Sequence, residues 1–328
     1  MFMQQIDKNT FFEITKNFTL VPFTQSKGWW AMHSIKDENR FVFFVDSLEK
    51  PSIACMGNVM KRFRFKMLVI EGECLLNDKN SNSKQIRNFY REITQTGFDM
   101  IEIDSSLPYN ALYEIGIRQA GFLRPAGMFC SSLTILFDLQ KSIEYDKNWQ
   151  KNLRRAEKHT LNFMPVTNPS DTEIEDYVSI HSEMKNTKGF FDGLSYKKLK
   201  ALLQDNNFNL FFVRDSQHNL LAAIIVYLRK NIARSIYSTA SAEGRQKSAA
   251  YFRDNEMYRF LQAKGIRHFD RGLITPSAAH KRNDIFLFKN GVKGDYVLYC
   301  GEWSWYKKQI YRPLMYFVKK YLMKRTEL

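Results

Sequence analysis

Two carboxylates stand where a strand is expected to end: Asp104 closes Asp99–Asp104, and Asp270 closes Ile266–Asp270. Strand-end carboxylates of α/β proteins face ligand crevices or cap turns. A second signal is cationic. Lys147–His159 reads KNWQKNLRRAEKH, with Lys147, Lys151, Arg154, Arg155 and Lys158 against the single acid Glu157. On a helix Lys151, Arg155 and Lys158 share a face, which suits phosphate groups or simply stands in water. Cys55, Cys74, Cys130 and Cys300 form no CxxC pair, and the histidines form no HxxxH pair. A zinc site is therefore not expected, and the thiols read as reduced in a cytosol.

The elements that must hold these residues alternate between strand and helix. Phe41–Val45, Lys66–Ile70 and Asp99–Asp104 are rich in β-branched and aromatic residues and read as strands. Between the last two, Ile86, Phe89, Tyr90 and Ile93 recur at spacings of three and four and predict a helix over 82–96, stopped by Gly97. The second half repeats the grammar. Asn209–Val213, Leu220–Leu228 and Ile232–Thr239 read as an antiparallel meander, followed by a helix over 249–264, Gly265 and a strand. REITQTGFDMIEID at 91–104 and RFLQAKGIRHFDRG at 259–272 share one order: helix end, glycine, strand, aspartate. The pattern predicts two copies of one α/β unit. The seam is expected near 138–149, giving domains 1–145 and 146–328, the latter with a basic C-terminal helix.

Composition agrees. A chain of 328 residues, 44% hydrophobic, with 15 Gly and 8 Pro, can build two cores and is neither disordered nor collagen-like. Its 49 Lys and Arg against 34 Asp and Glu leave a formal charge of +15, which favours polyanionic partners such as nucleic acid, nucleotide phosphates or an anionic membrane face. The N-terminal residues lack the basic start and apolar run of a signal peptide, and no stretch approaches the ~18 apolar residues of a membrane span. Lys307–Arg325 holds seven cations and no acid. Pro313 is expected to start a last helix with Leu314, Phe317, Val318 and Tyr321 on one side. Such a helix can lie on an anionic membrane, or dock on the core with its lysines in water. A cytoplasmic protein, peripheral at the inner membrane face, is the expectation.

Downstream of Gly121 the signals follow one order. A strand ends at Asp138-Leu139, then comes the basic helix NLRRAEKHTLNF, then MKNTKGFF, Tyr196, and a meander with Tyr237-Ser238-Thr239-Ala240. Lys264-Gly265, Phe269-Asp270-Arg271-Gly272, Phe288-Lys289-Asn290-Gly291 and Gly301-Glu302-Trp303 complete it, and Gln25-Ser26 with Trp29-Trp30 stand in front. The ordered set resembles the Fem family, the aminoacyl-tRNA-dependent transferases that build peptidoglycan side bridges. It is also similar to Fem-like acyltransferases of the GNAT superfamily. The resemblance covers roughly 120–305 and the front part loosely. It implies an α/β (α+β) fold of two tandem GNAT-like domains, with mixed, mostly antiparallel sheets flanked by helices. It implies an acyl group passed from aminoacyl-tRNA to an amine of a nucleotide- or lipid-linked cell-wall precursor, with no covalent enzyme intermediate and no cofactor.

The resemblance also assigns residues. Phe288 and Lys289 match a Phe-Lys pair at the reacting end, where an ammonium would lower the energy of the tetrahedral oxyanion or steady the tRNA 3′ phosphate. Lys188 stands where an arginine holds a diphosphate, without the bidentate fork. Tyr196 and Tyr237 fall among precursor-contacting positions, and Asp104 and Asp270 are the nominees for the base. His33 and Ser34 occupy the window of a further phosphate-binding lysine, a departure that weakens a UDP-linked acceptor. Arg245-Gln246-Lys247-Ser248-Ala249-Ala250 stands where GNAT acetyltransferases cradle a CoA pyrophosphate on helix-start amides. Arg245 and Lys247 thereby keep an acyl-CoA donor as the alternative, for an N-acyltransferase acting on an envelope amine.

Overall fold

The computed structural model describes residues 3–62, 64–77, 82–127, 129–188, 193–276 and 283–323. The strands are β1 (Gln4–Ile6), β2 (Phe41–Val45), β3 (Ile53–Arg62), β4 (Phe65–Ile70), β5 (Cys74–Leu75), β6 (Met100–Pro108), β7 (Leu133–Asp138), β8 (Asn162–Val166), β9 (Phe208–Arg214), β10 (Leu220–Arg229), β11 (Ile232–Ala240), β12 (His268–Asp270) and β13 (Asp295–Tyr306). The helices are α1 (Lys8–Thr15), α2 (Lys27–Ser34), α3 (Ser83–Ile93), α4 (Ala111–Gln119), α5 (Lys147–Ala156), α6 (Asp171–Lys188), α7 (Tyr196–Leu202), α8 (Ala242–Gln246), α9 (Ala249–Ala263), α10 (Asn283–Asn290) and α11 (Tyr311–Phe317).

The chain forms two compact units, Met1–Leu133 with Val297–Leu328, and Thr134–Tyr296. The first contains the strand order β1-β2-β3-β4-β6-β13, with β5 beside β3. Its pairs are antiparallel except β4 with β6, which run parallel. The second contains β8-β9-β10-β11-β12-β7, again antiparallel except for β11 with β12. The two sheets thus repeat one pattern, and the parallel pair falls at the same step in each. The glycines that lead into those parallel strands, Gly97 and Gly265, both adopt positive φ, +83° and +77°, the left-handed turn that ends a helix at little cost only for glycine.

The sixth strand of each sheet is where the chain departs from a simple repeat. β7 follows the first unit in sequence but pairs with β12 of the second, and β13 follows the second but pairs with β6 of the first. The expected division at 145/146 therefore differs from the observed one. The contacts put the seam before Thr134 and return residues from Val297 onward to the first unit.

Apolar spacing fixes the packing within each unit. Ile86, Phe89, Tyr90 and Ile93 of α3 are all buried under the first sheet, and Asn82 caps the helix through Lys84 N–H at 2.9 Å. In the second unit α9 sends Met257, Tyr258 and Leu261 into a core with Phe211, Ile224, Val226 and Phe269. Gln25 and Ser26 of the opening motif are structural. The Gln25 side chain donates to the Met56 carbonyl at 3.0 Å and accepts from the Met56 N–H, while Ser26 caps α2 through Trp29 N–H at 3.2 Å. No helix among the described residues is long and apolar enough to cross a membrane.

Candidate active site

A cavity of about 440 Å³ opens within the second unit, bordered by β10, β11, α5, the turn between α8 and α9, and α10. A bulge shapes its floor. Opposite β10, Ile225 pairs with Tyr237 and Val226 with Ser235, so Ile236 is the extra residue on β11. In an unbroken strand, residues 235 and 238 would point to opposite faces. The bulge shifts the alternation, and both Ser235 and Ser238 line the cavity.

The α8–α9 turn forms one rim. Gly244 of α8 lies so close to β10 that a Cβ there would sit 1.9 Å from the Leu221 carbonyl oxygen. Ser248, with φ +55°, turns the chain into α9, and Ser248 and Ala250 border the cavity. The amide end of α9 is therefore beside the cavity, an arrangement that favours an anion. Arg245 lines the same rim, donating to the Ala240 carbonyl at 2.8 Å and reaching Glu183 at 3.3 Å. Arg155 of α5 is exposed and also lines the cavity.

The opposite wall is α10. Phe288 packs against Trp149 and Tyr251, with ring centroids 6.3 and 4.9 Å apart. This aromatic wedge sets the helix, and with it Lys289, whose Nζ donates to the Leu273 carbonyl at 2.9 Å. The side chain borders the cavity. Burial and the neighbouring Arg271 cation pull its pKa from 10.5 down to about 8, against the opposing pull of Asp270. An amine in this range can switch protonation near neutral pH.

Beneath it lies a charged network that the sequence reading did not nominate. Asp254 accepts from Arg253 Nη2 at 2.6 Å and Nε at 3.0 Å, and from Arg271 Nη2 at 3.4 Å. Arg271 also donates to Tyr258 Oη at 2.8 Å and approaches the Phe288 carbonyl at 3.5 Å. Arg253, Asp254 and Arg271 are almost fully buried. Among the described residues, five cations (Arg155, Arg245, Arg253, Arg271, Lys289) and two carboxylates (Asp254, Asp284) line the cavity. A signal existed in the sequence: Asp254 occupies an apolar slot of α9, three and four residues before Met257 and Tyr258. Arg271 adjoins the Asp270 that was nominated.

The remaining expected site residues lie elsewhere. Asp270 is buried and fully engaged. It accepts from Thr134 Oγ1 and from Gly272 N–H at 2.8 Å, and pairs with Arg234 Nε at 3.0 Å. It ties β12 to both neighbouring strands. Asp104 belongs to the first unit, on β6 opposite Glu302. Tyr237 turns its ring toward His181 of α6, centroids 6.1 Å apart. Tyr196 accepts from Lys200 Nζ at 2.9 Å on α7. Lys247 pairs with Glu243 at 2.6 Å, and Arg154 is exposed on α5. None of these lines the cavity. The Lys188 side chain lies outside the described residues. The cavity thus brings together Phe288, Lys289, Arg245 and Arg155 from the expected set.

No protein-family model matches the sequence, and no curated protein matches it. Solved structures do match. The chain is similar to FemX, with TM-score 0.76 and 11% identity over 96% of this chain and 100% of that one. It is similar to L-PGS from Bacillus licheniformis, with TM-score 0.64 and 15% identity over 98% and 99%. A protein of unknown function from Bacteroides thetaiotaomicron follows at TM-score 0.61 and 9% identity over 92% and 98%. At these identities the likeness defines the fold. The chain has the Fem-like fold that the ordered motifs implied, built as two α/β halves that repeat one strand order.

Proposed function

We propose that the protein is an acyltransferase whose second unit holds the reacting groups, and that it moves an aminoacyl group from charged tRNA to an amine of an envelope precursor. The observation that carries this reading is Lys289 on the wall of a cationic cavity, with a pKa drawn down to about 8. The acceptor nitrogen attacks the ester carbonyl, the C–N bond forms, the C–O bond to the ribose breaks, and the amine proton ends on the ribose hydroxyl. The Lys289 ammonium stands by the oxyanion, and Arg155 and Arg245 meet donor phosphates. The matched structures are in keeping with a group transfer of this kind. One is FemX. Another, at TM-score 0.53, is the C-terminal domain of a putative lysylphosphatidylglycerol synthetase from Agrobacterium fabrum, whose name specifies a lysyl group on an envelope lipid. Because charged tRNA is a cytoplasmic species, the reaction belongs in the cytoplasm, with a nucleotide- or lipid-linked acceptor.

A second reading rests on the α8–α9 turn. Arg245 and the start of α9 border the cavity as a pyrophosphate cradle would, so an acyl-CoA donor acting on an envelope sugar, lipid or peptide amine is the alternative. One experiment separates the two. Purified protein is given radiolabelled bulk aminoacyl-tRNA and an extract of cell-wall precursors. Label entering the precursor fraction, undiminished by excess CoA, is the expected result. No transfer, together with saturable binding of CoA, would move the assignment to a thioester donor.

A further inference from the structure

The C-terminal segment departs from a helix docked on the core by its apolar side. Its apolar residues were expected to pack inward or lie on a membrane, with the cations in water. In the structure the apolar side faces out: Ile310 is 68% exposed, Leu314 52%, Phe317 50%, Tyr321 56% and Leu322 66%. Two of the cations turn in. Lys319 is 5% exposed and pairs with Glu102 at 2.5 Å, and Arg312 donates to the Arg124 carbonyl at 3.2 Å. Tyr311 meets Phe65 edge-on at 5.2 Å, and Tyr316 packs on Phe129 at 5.9 Å. The segment is therefore held to the first unit by its polar and aromatic side, and among the described residues nothing covers its apolar stripe. At ~1.5 Å per helical residue the stripe runs on the order of 20 Å.

The charges around the stripe identify its occupant. Lys307 and Lys308 are exposed at its start, Lys324 and Arg325 follow it in sequence, and no acid occurs between Trp303 and Arg325. An apolar stripe with a tyrosine at its edge and exposed lysines at its start complements an anionic bilayer surface. We propose that α11 and the turn after it form a membrane-surface contact, with Leu314 and Phe317 entering the interface and Lys307 and Lys308 meeting anionic headgroups. The inference stands on this segment alone and does not depend on the reaction assigned to the second unit.

Vesicle co-sedimentation of the full chain tests it. Vesicles of phosphatidylglycerol and phosphatidylcholine in equal parts should bind about tenfold more tightly than phosphatidylcholine alone. The variant Leu314→Ser/Phe317→Ser should lose about tenfold or more of that binding, since it removes two inserted side chains, with an unchanged urea midpoint. Lys307→Gln/Lys308→Gln should weaken binding to the anionic vesicles only. Sedimentation of the Leu314→Ser/Phe317→Ser variant like wild type overturns the proposal. So does failure of the wild type to bind either vesicle. A wild-type dimer in analytical ultracentrifugation that this variant dissociates also overturns it, and assigns the stripe to a second copy.

Discussion

Lys289 is the residue on which the chemical reading turns, and its pKa gives it two separable consequences. The first concerns catalysis. An ammonium that stabilises an oxyanion is lost as pH rises through its pKa, so the alkaline limb of transfer should lie near pH 8. Lys289→Arg keeps its charge to far higher pH. Its limb should move upward even if its rate is lower, and pH–rate profiles of both forms check this. A limb that stays near pH 8 in the arginine variant would assign it to another group. The second consequence concerns stability. The folded pKa lies below the unfolded 10.5, so the unfolded chain binds more protons between about 8 and 10.5, and stability rises with pH there. Below about pH 8 the full cost of the buried charge is present. Lys289→Met should therefore be more stable than wild type at pH 7 by about 1–3 kcal/mol, discounted for access from the cavity. The gain should vanish near pH 10.5 in urea titrations.

At the scale of elements, α9 carries both halves of the site. Its start borders the cavity, and its middle holds Arg253 and Asp254 against Arg271. Removing one member of such a group leaves uncompensated buried charge. Asp254→Ala should cost about 3–5 kcal/mol, read from urea denaturation. Gly244→Ala drives a methyl group into the Leu221 carbonyl, and a shift of α8 to relieve it carries Arg245 along. A loss of about 1–3 kcal/mol or more is expected, with weaker donor binding. Much of this architecture was legible in the sequence. The spacing of Ile86, Phe89, Tyr90 and Ile93 and the glycines at 97 and 265 locate α3, α9 and the strands after them because local chemistry alone fixes those elements. The exchange of β7 and β13 was not legible, because strand partners are chosen by long-range pairing. The Arg253–Asp254–Arg271 cluster was missed for a related reason. Sequence patterns sort charges to water, and only the fold shows that these three compensate one another. Asp270 illustrates the converse: a strand-end carboxylate looks reactive until Thr134, Gly272 and Arg234 are seen to hold it.

At the scale of the whole molecule, the formal charge of +15 and the excess of cations over acids among the described cavity residues underlie the proposed polyanionic donor. Binding of aminoacyl-tRNA should weaken about tenfold or more between about 50 and 200 mM salt, as counterion release requires when several phosphates are neutralised. Arg154→Ala/Arg155→Ala should lower both the affinity and the slope, measured by filter binding. A salt-insensitive affinity would argue against phosphate contacts. The central claim is narrower, that Lys289 takes part in group transfer from the second unit, and one measurement meets it directly. Transfer of labelled aminoacyl groups is followed under single-turnover conditions for wild type and Lys289→Ala, with circular dichroism confirming that both are folded. The account predicts a rate lower by about 100-fold or more, the usual consequence of deleting an oxyanion donor. A Lys289→Ala rate equal to that of wild type would contradict it.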